Sequence, residues 1–312
     1  MSDIKNYIKA NKDRFINELI ELLKIPSVSA DPAYQQDVLN TAEAVKDRLE
    51  KAGCDFVEIC ETPGYPIVYG EKIIDNNLPT ILVYGHYDVQ PVDPLELWDS
   101  APFEPEIRDG KIWGRGGADN KGQHFVHILG AEKTIKLNGE LPLNVIFLIE
   151  GEEEIGSPNL VPFLNEHKDS LACDIIAVSD TGMVAPGVPT LGYGLRGITC
   201  LEVKVKGPTG DLHSGVYGGC IANPATAAAR MIASLHDDDG RIAIAGFYED
   251  VVPLEDWERE MWSKVPGTSD EDFLKTTGSP ESFGEPGYSM AERLWARPTV
   301  EVNGFGSGYQ GE

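Results

Sequence analysis

Basic residues are scarce. Of 312 residues, 26 are Lys or Arg against 51 Asp or Glu, a formal net charge of −25. Phosphate backbones and anionic lipid repel such a chain, which excludes nucleic acid and membrane surfaces as expected partners. No apolar run approaches the roughly 18 residues that cross a bilayer. The start, Met1-Ser-Asp-Ile-Lys-Asn-Tyr7, leads into a charged amphipathic stretch rather than the apolar core of a signal peptide. Cysteine is sparse as well: Cys54, Cys60, Cys173, Cys200 and Cys220 are odd in number and have no C-x-x-C spacing. That argues against a cysteine metal site and fits free thiols in a reducing cytoplasm. There is no internal repeat and no low-complexity tract.

Apolar residues are not scarce. They make up 41% of the chain, enough for a real core. At roughly 100–200 residues per domain, the length suggests two domains or one large one. Ile4, Ile8, Phe15, Leu19, Ile20 and Leu23 recur at helical spacing and predict an amphipathic helix over 4–24, stopped by Pro26. Residues 34–52 predict a second helix with Gly53 as its stop, followed by short strands near 55–60 and 66–72.

Three later runs are more informative: Pro79-Thr-Ile-Leu-Val-Tyr84, Leu143-Asn-Val-Ile-Phe-Leu-Ile149 and Asp174-Ile-Ile-Ala-Val178. Each is short, β-branched and nearly continuous, the pattern of a strand buried on both faces. Helical segments are expected between them at 120–136 and 158–167. This alternation predicts an α/β domain whose mostly parallel sheet is flanked by helices. Beyond about residue 194 the pattern changes. Ile198-Thr-Cys-Leu-Glu-Val-Lys-Val-Lys206 alternates like a half-exposed strand, 222–235 reads as an Ala-rich helix, and from Asp237 the chain is polar and Pro/Gly-punctuated, with Trp257, Trp262 and Trp295 among charges. The expected division is 1–193 and a smaller α+β domain over 194–312.

In open α/β sheets, ligands sit beyond the carboxyl ends of the strands. Here each of the three buried runs leads into metal-type ligands: Gly85-His86-Tyr87-Asp88, Glu150-Gly151-Glu152-Glu153-Glu154 and Ser179-Asp180-Thr181. Asp119, in Gly114-Arg-Gly-Gly-Ala-Asp-Asn-Lys-Gly122, precedes a predicted helix. A single Asp in a loop is usually a cap or a turn. Several carboxylates converging on one sheet edge repel one another unless a cation neutralises them. One imidazole among carboxylates suits zinc, manganese or cobalt better than magnesium or calcium. Asp88, two residues beyond His86, can accept the second ring N–H and fix the tautomer. Glu153 and Glu154 can divide the labour, one holding metal and the other taking a proton from water; Asp119 can bridge two ions. The Gly-rich run 114–117 lacks phosphate-loop spacing, and its glycines suit close backbone approach instead.

The segments Leu82-Val-Tyr-Gly-His-Tyr-Asp-Val-Gln-Pro91, Gly114–Gly122 and Glu150-Gly-Glu-Glu-Glu-Ile-Gly-Ser157 resemble the signatures of the M-twenty metallopeptidases. That family includes aminoacylase, acetylornithine deacetylase, succinyl-diaminopimelate desuccinylase, glutamate carboxypeptidase and carnosinase. The Tyr-Asp-Val-Gln-Pro form, and Asp211-Leu-His-Ser-Gly-Val-Tyr-Gly-Gly219, are most similar to the carnosinase-like dipeptidase branch. The resemblance runs from about residue 10 to the last residue and implies a zinc-exopeptidase-like catalytic domain with a dimerisation (lid) domain. It also implies two zinc ions per subunit, with manganese or cobalt compatible with the same donors. His86 and Asp180 would bind one zinc, Glu154 the other, and Asp119 would bridge them. Glu153 would be the general base and Asp88 the carboxylate behind His86, with water bridging the metals attacking the scissile carbonyl. His213 would reach a partner subunit's site and stabilise the oxyanion, so a homodimer acting on dipeptides or small peptides is expected.

One departure stands out. The family's second zinc takes a further histidine from near the C-terminus, yet this chain's histidines are 86, 124, 127, 167, 213 and 236. His236 precedes Asp237-Asp-Asp-Gly240 and reads as a solvated residue at a helix end. His124 and His127, three apart on one helix face, read as packing residues, and His167 as exposed. The family's substrate-carboxylate arginine is also missing, and the chain stops at Gly308-Tyr-Gln-Gly-Glu312 within the expected lid. The simplest expectation is a catalytic domain without its C-terminal segment and an incomplete lid. Three readings follow: a di-zinc dipeptidase, an N-acyl-amino-acid deacylase on the same scaffold, and a non-catalytic dimerising or metal-binding remnant.

Overall fold

A computed structural model of the chain describes residues 2–308. Contacts divide it into two units that meet between Gly182 and Met183.

In the first unit, helix α1 (Ser2–Leu23) is followed by α2 (Gln35–Ala52), which Gly53 ends with φ of 103°, a left-handed conformation that favours glycine. Strands β1 (Phe56–Cys60), β2 (Ile67–Lys72) and β3 (Thr80–His86) come next, then a small hairpin of β4 (Glu106–Arg108) and β5 (Lys111–Trp113). Helix α3 (Lys121–Asn138), β6 (Asn144–Glu150), α4 (Leu160–Glu166) and β7 (Ile175–Val178) complete it. The main sheet runs β1-β2-β6-β3-β7. β3 is parallel to both β6 and β7, while β1 and β2 add an antiparallel edge. The α/β class and the parallel arrangement of the three motif-bearing strands are as the sequence predicts.

β6 explains the fold most directly. All of its residues are buried. Val145, Phe147 and Ile149 face a core with Val38, Val45 and Leu49 of α2 and Phe125 and Ile128 of α3. Ile146 and Leu148 face the opposite core with Phe163 of α4 and Leu171. A strand with helices on both faces needs apolar side chains at every position, which accounts for its unbroken run. β7 departs from the same expectation. It is an edge strand, and Ile175 and Ile176 remain 60% and 61% exposed. A local run cannot reveal which strand lies at the edge of a sheet.

The register fixes the site. His86 pairs with Glu150, and Tyr84 with Val178, so His86 and Asp180 each stand two residues beyond a paired position. Gly85 has a local reason. A Cβ there would lie 2.8 Å from both Asn120 Oδ1 and His124 Cβ, so only glycine lets α3 come this close.

The second unit contains α5 (Ser214–Tyr217), α6 (Pro224–Ala233), α7 (Asp256–Trp262), α8 (Asp270–Thr277) and α9 (Met290–Ala296). Ser269 and Ser289 begin α8 and α9 with capping boxes. Arg297 bonds both oxygens of Glu285 at 2.7 and 2.8 Å and lies over the rings of Tyr248 and Tyr288. Trp262 and Trp295 meet edge to face at 5.3 Å. The expected strand over 198–206 is not formed. The segment is irregular, and Ile198 and Leu201 are 89% and 86% exposed. A half-buried strand needs a neighbour to pair with, and no strand lies in this unit among the described residues.

Candidate metal centre

The first unit brings together His86, Asp88, Asp119, Glu153, Glu154 and Asp180. β3 delivers His86, the short turn after β6 delivers Glu153 and Glu154, the loop before α3 delivers Asp119, and the exit of β7 delivers Asp180. His86 is fully buried. Its Nδ1 faces the Asp88 backbone carbonyl at 3.1 Å and Asp88 Oδ1 at 3.3 Å, so both neighbours are acceptors and this nitrogen carries the proton. Nε2 is buried and makes no hydrogen bond, with Asp119 Oδ1 at 3.2 Å, Asp180 Oδ1 at 3.7 Å and Glu153 Oε2 at 3.9 Å.

A buried imidazole nitrogen aimed at carboxylates with no hydrogen bond calls for a cation, either a proton or a metal ion. Two ligand groups meet the geometry for one: His86 with Asp119 and Asp180, and His86 with Glu153 and Glu154. The electrostatics agree. Burial opposes the imidazolium, but the Asp88 hydrogen bond and the charges of Asp88, Asp180 and Glu153 outweigh it and hold the His86 pKa up at about 9. Burial raises the pKa values of Glu153 and Glu154, and neighbouring carboxylates add to it. Carboxylates gathered this closely around one imidazole favour a divalent ion, and the oxygen-rich donor set fits zinc, manganese or cobalt.

Asp88 is the buried junction beneath the cluster. Oδ1 accepts from the Glu153 N–H at 3.2 Å, and Oδ2 accepts from the Glu154 N–H at 3.1 Å and the Ser29 hydroxyl at 2.6 Å. Asn120 donates to Asp180 Oδ1 at 2.9 Å and to the Ser179 carbonyl at 3.1 Å. Gln90 donates to Glu154 Oε2 at 2.7 Å. Sequence reasoning passed over all three residues. Asn120 and Gln90 lie inside the quoted motifs and were signalled by position alone, whereas Ser29 carries no local signal.

The acidic run after β6 divides in two. Glu150 turns away to accept from Tyr84 at 2.6 Å and Ser157 at 2.8 Å, and Glu152 accepts from the Tyr65 N–H at 3.1 Å and Asn159 at 2.7 Å. These hold the turn, leaving Glu153 and Glu154 to face the cluster. His124 is buried, with Nδ1 against the His86 carbonyl at 3.1 Å and its pKa pushed down by burial to about 3; His127 bonds Ser179 Oγ at 2.6 Å. Both are packing residues, as expected. His236 is not a solvated helix-end residue. It bridges to Ile242 and packs edge-on against Phe283. His213 belongs to the second unit, where its Nδ1 accepts from the Gly215 N–H at 2.9 Å at the start of α5.

The sequence profile of peptidase family M20/M25/M40 matches residues 82–309. A Cys-Gly metallodipeptidase of Candida albicans is 32% identical over 320 residues, covering 97% of this chain and 66% of that protein. A human β-Ala-His dipeptidase is 28% identical over 319 residues, covering 98% of this chain and 63% of that protein. This chain therefore spans less than two thirds of the length of either relative. Among solved structures, human carnosine dipeptidase 1 matches with a TM-score of 0.83 at 27% identity, covering 100% of this chain and 68% of that one. A metallo-carboxypeptidase of the same family from Sulfolobus solfataricus matches with a TM-score of 0.76 at 35% identity, covering 96% and 67%.

Proposed function

The chain belongs to peptidase family M20/M25/M40, and from that premise we propose that it is a metal-dependent dipeptidase. The observation that supports this reading most is the buried, unbonded Nε2 of His86 among carboxylates. His86, Asp180, Glu154 and Asp119 would hold the metal, which in this reading is two zinc ions; manganese or cobalt would use the same donors. When bound, the ions would acidify a water and polarise the scissile carbonyl. Glu153 is the general base. Its carboxylate takes the proton of the attacking water and returns it to the leaving amine, and its pKa, raised chiefly by burial, brings it nearer the working pH. Asp88 holds the His86 ring through Nδ1, so that Nε2 stays free for metal. His213 stabilises the oxyanion in the site of a partner subunit, which makes the working form a homodimer with residues 194–312 as its dimerisation or lid domain. The names of the two relatives above point to small unblocked dipeptides as the substrate class.

The test is elemental analysis of the purified chain together with turnover of unblocked dipeptides and of N-acetyl amino acids. Two ions per chain and faster dipeptide hydrolysis are expected. Faster turnover of N-acetyl amino acids would assign a deacylase instead. A chain that binds no metal and hydrolyses neither substrate would be a non-catalytic remnant.

A further inference from the structure

Between α1 and α2 the chain passes directly beneath the metal centre, although nothing in its local sequence marks it as functional. Ser27, Val28 and Ser29 lie beside Tyr87, Asp88 and Val89. Val28 and Val89 form an isolated parallel bridge, the Val89 N–H donates to the Ser27 carbonyl at 2.9 Å, and the Ser27 hydroxyl donates to the Tyr87 carbonyl at 2.7 Å. Upstream, the buried Lys121 ammonium donates to the carbonyls of Leu22 and Ile25 at 3.2 and 2.7 Å, tying the end of α1 to the start of α3. The segment is thus fixed at Leu22 and Ile25 and again at Ser27 and Val28 before it presents Ser29.

Ser29 is itself buried, and its one polar side-chain atom is committed to Asp88 Oδ2 at 2.6 Å. Asp88 is fully buried and has no solvent to turn to. Its donors are the His86 ring, the N–H groups of Glu153 and Glu154, and Ser29. Two of those donors are backbone groups of the turn that carries the candidate base and a candidate ligand, and a third is the ring of the only candidate imidazole ligand in the cluster. Ser29 supplies the shortest of the four contacts, and it comes from outside the elements that carry the ligands.

Resting on the metal-centre reading above, we propose that Ser29 is a positioning residue. Its hydroxyl fixes the Asp88 carboxylate, and through Asp88 it sets both the ring plane of His86 and the placement of the Glu153–Glu154 turn. A buried carboxylate that loses one donor rotates to recover it, and each of its remaining partners moves with it.

Cobalt titration of the full chain tests this, read as a binding isotherm and as the visible absorption of the bound ion, with the melting temperature of the metal-free chain measured in parallel. Partners one step behind a metal ligand are worth roughly 10- to 100-fold in affinity. Ser29→Ala should therefore weaken cobalt binding by about tenfold or more and alter the absorption bands, with a much smaller effect in an Asp88→Asn background, where the shared route is already lost. Ser29→Cys keeps the volume with a far weaker donor and should fall between the parent and Ser29→Ala. An isotherm and spectrum unchanged in Ser29→Ala would overturn the proposal, as would an equal loss in the Asp88→Asn background, or failure of both Ser29 variants to fold, which would mark a purely structural role. A parent chain that takes up no cobalt would overturn the metal-centre reading and this proposal with it.

Discussion

The two units place their apolar residues in opposite ways. The first buries a continuous set on both faces of β6, and every strand that carries a candidate ligand is paired to the strand beside it. The second buries almost none. Its fixed points are polar, Glu285 held by Arg297 and Glu292 held by Arg259, while Leu191, Leu195, Ile198 and Leu201 stay exposed. The difference is instructive about where chemistry can sit. An imidazole whose second nitrogen makes no hydrogen bond is tolerated only where a dense, desolvated scaffold fixes it. In the second unit the buried charges, Glu285, Glu292 and Arg297, are already committed to partners, so none of them offers a free donor of this kind.

The largest expected effect breaks the chemistry without breaking the scaffold. Glu153→Gln should keep metal bound and lower dipeptide turnover by roughly 10²- to 10⁴-fold, the usual contribution of a general base. Normal turnover in that variant would exclude Glu153 from the role. Next, Phe147→Ala at the centre of β6 should cost the first unit about 3–5 kcal/mol, read as a drop in the urea midpoint. A smaller, pH-dependent effect belongs to Glu132, which is buried on α3 against Arg48 and Arg14. Burial opposes its charge, but the hydrogen bonds from Arg14 and Arg48 prevail and pull its pKa from 4.5 down to about 2. A depressed carboxylate pKa stabilises the fold above its ordinary value and ceases to do so as pH falls through the folded one. Stability should therefore decline between pH 4.5 and about 2, and Glu132→Gln should flatten that window in acid titrations followed by circular dichroism. The smallest effect lies in the other unit. Leu195→Ser, at a side chain 90% exposed, should change stability by no more than about 0.5 kcal/mol. A loss of several kcal/mol there would erase the contrast between the units.

Much of the first unit was legible from local pattern. The run Val145-Ile-Phe-Leu-Ile149 predicted a strand covered on both sides, and the polar residues immediately following the three strands predicted a shared ligand edge, because parallel strands end together. Sheet order was not legible, so the nearly identical character of Ile175-Ile176 did not reveal that β7 is an edge. Nor was the sorting of Glu150, Glu152, Glu153 and Glu154, which depends on partners such as Tyr84, Tyr65 and Asn159 that only the folded chain brings near. Ser29 was invisible for the same reason, its partner Asp88 lying 59 positions away. The alternation over 198–206 misled because strand character is a property of paired surfaces rather than of one segment.

The open side of β7 also bears on how the chain behaves in bulk. Its outer backbone groups and the exposed Ile175, Ile176 and Val178 form a template on which another strand can add. The net charge of −25 opposes that approach between copies. The repulsion reaches only as far as the ionic atmosphere allows, roughly 8 Å at 0.15 M salt. Colloidal stability is therefore expected to follow ionic strength: concentrated solutions should stay clear in dilute buffer, and added salt should raise turbidity, which light scattering across a salt series would check.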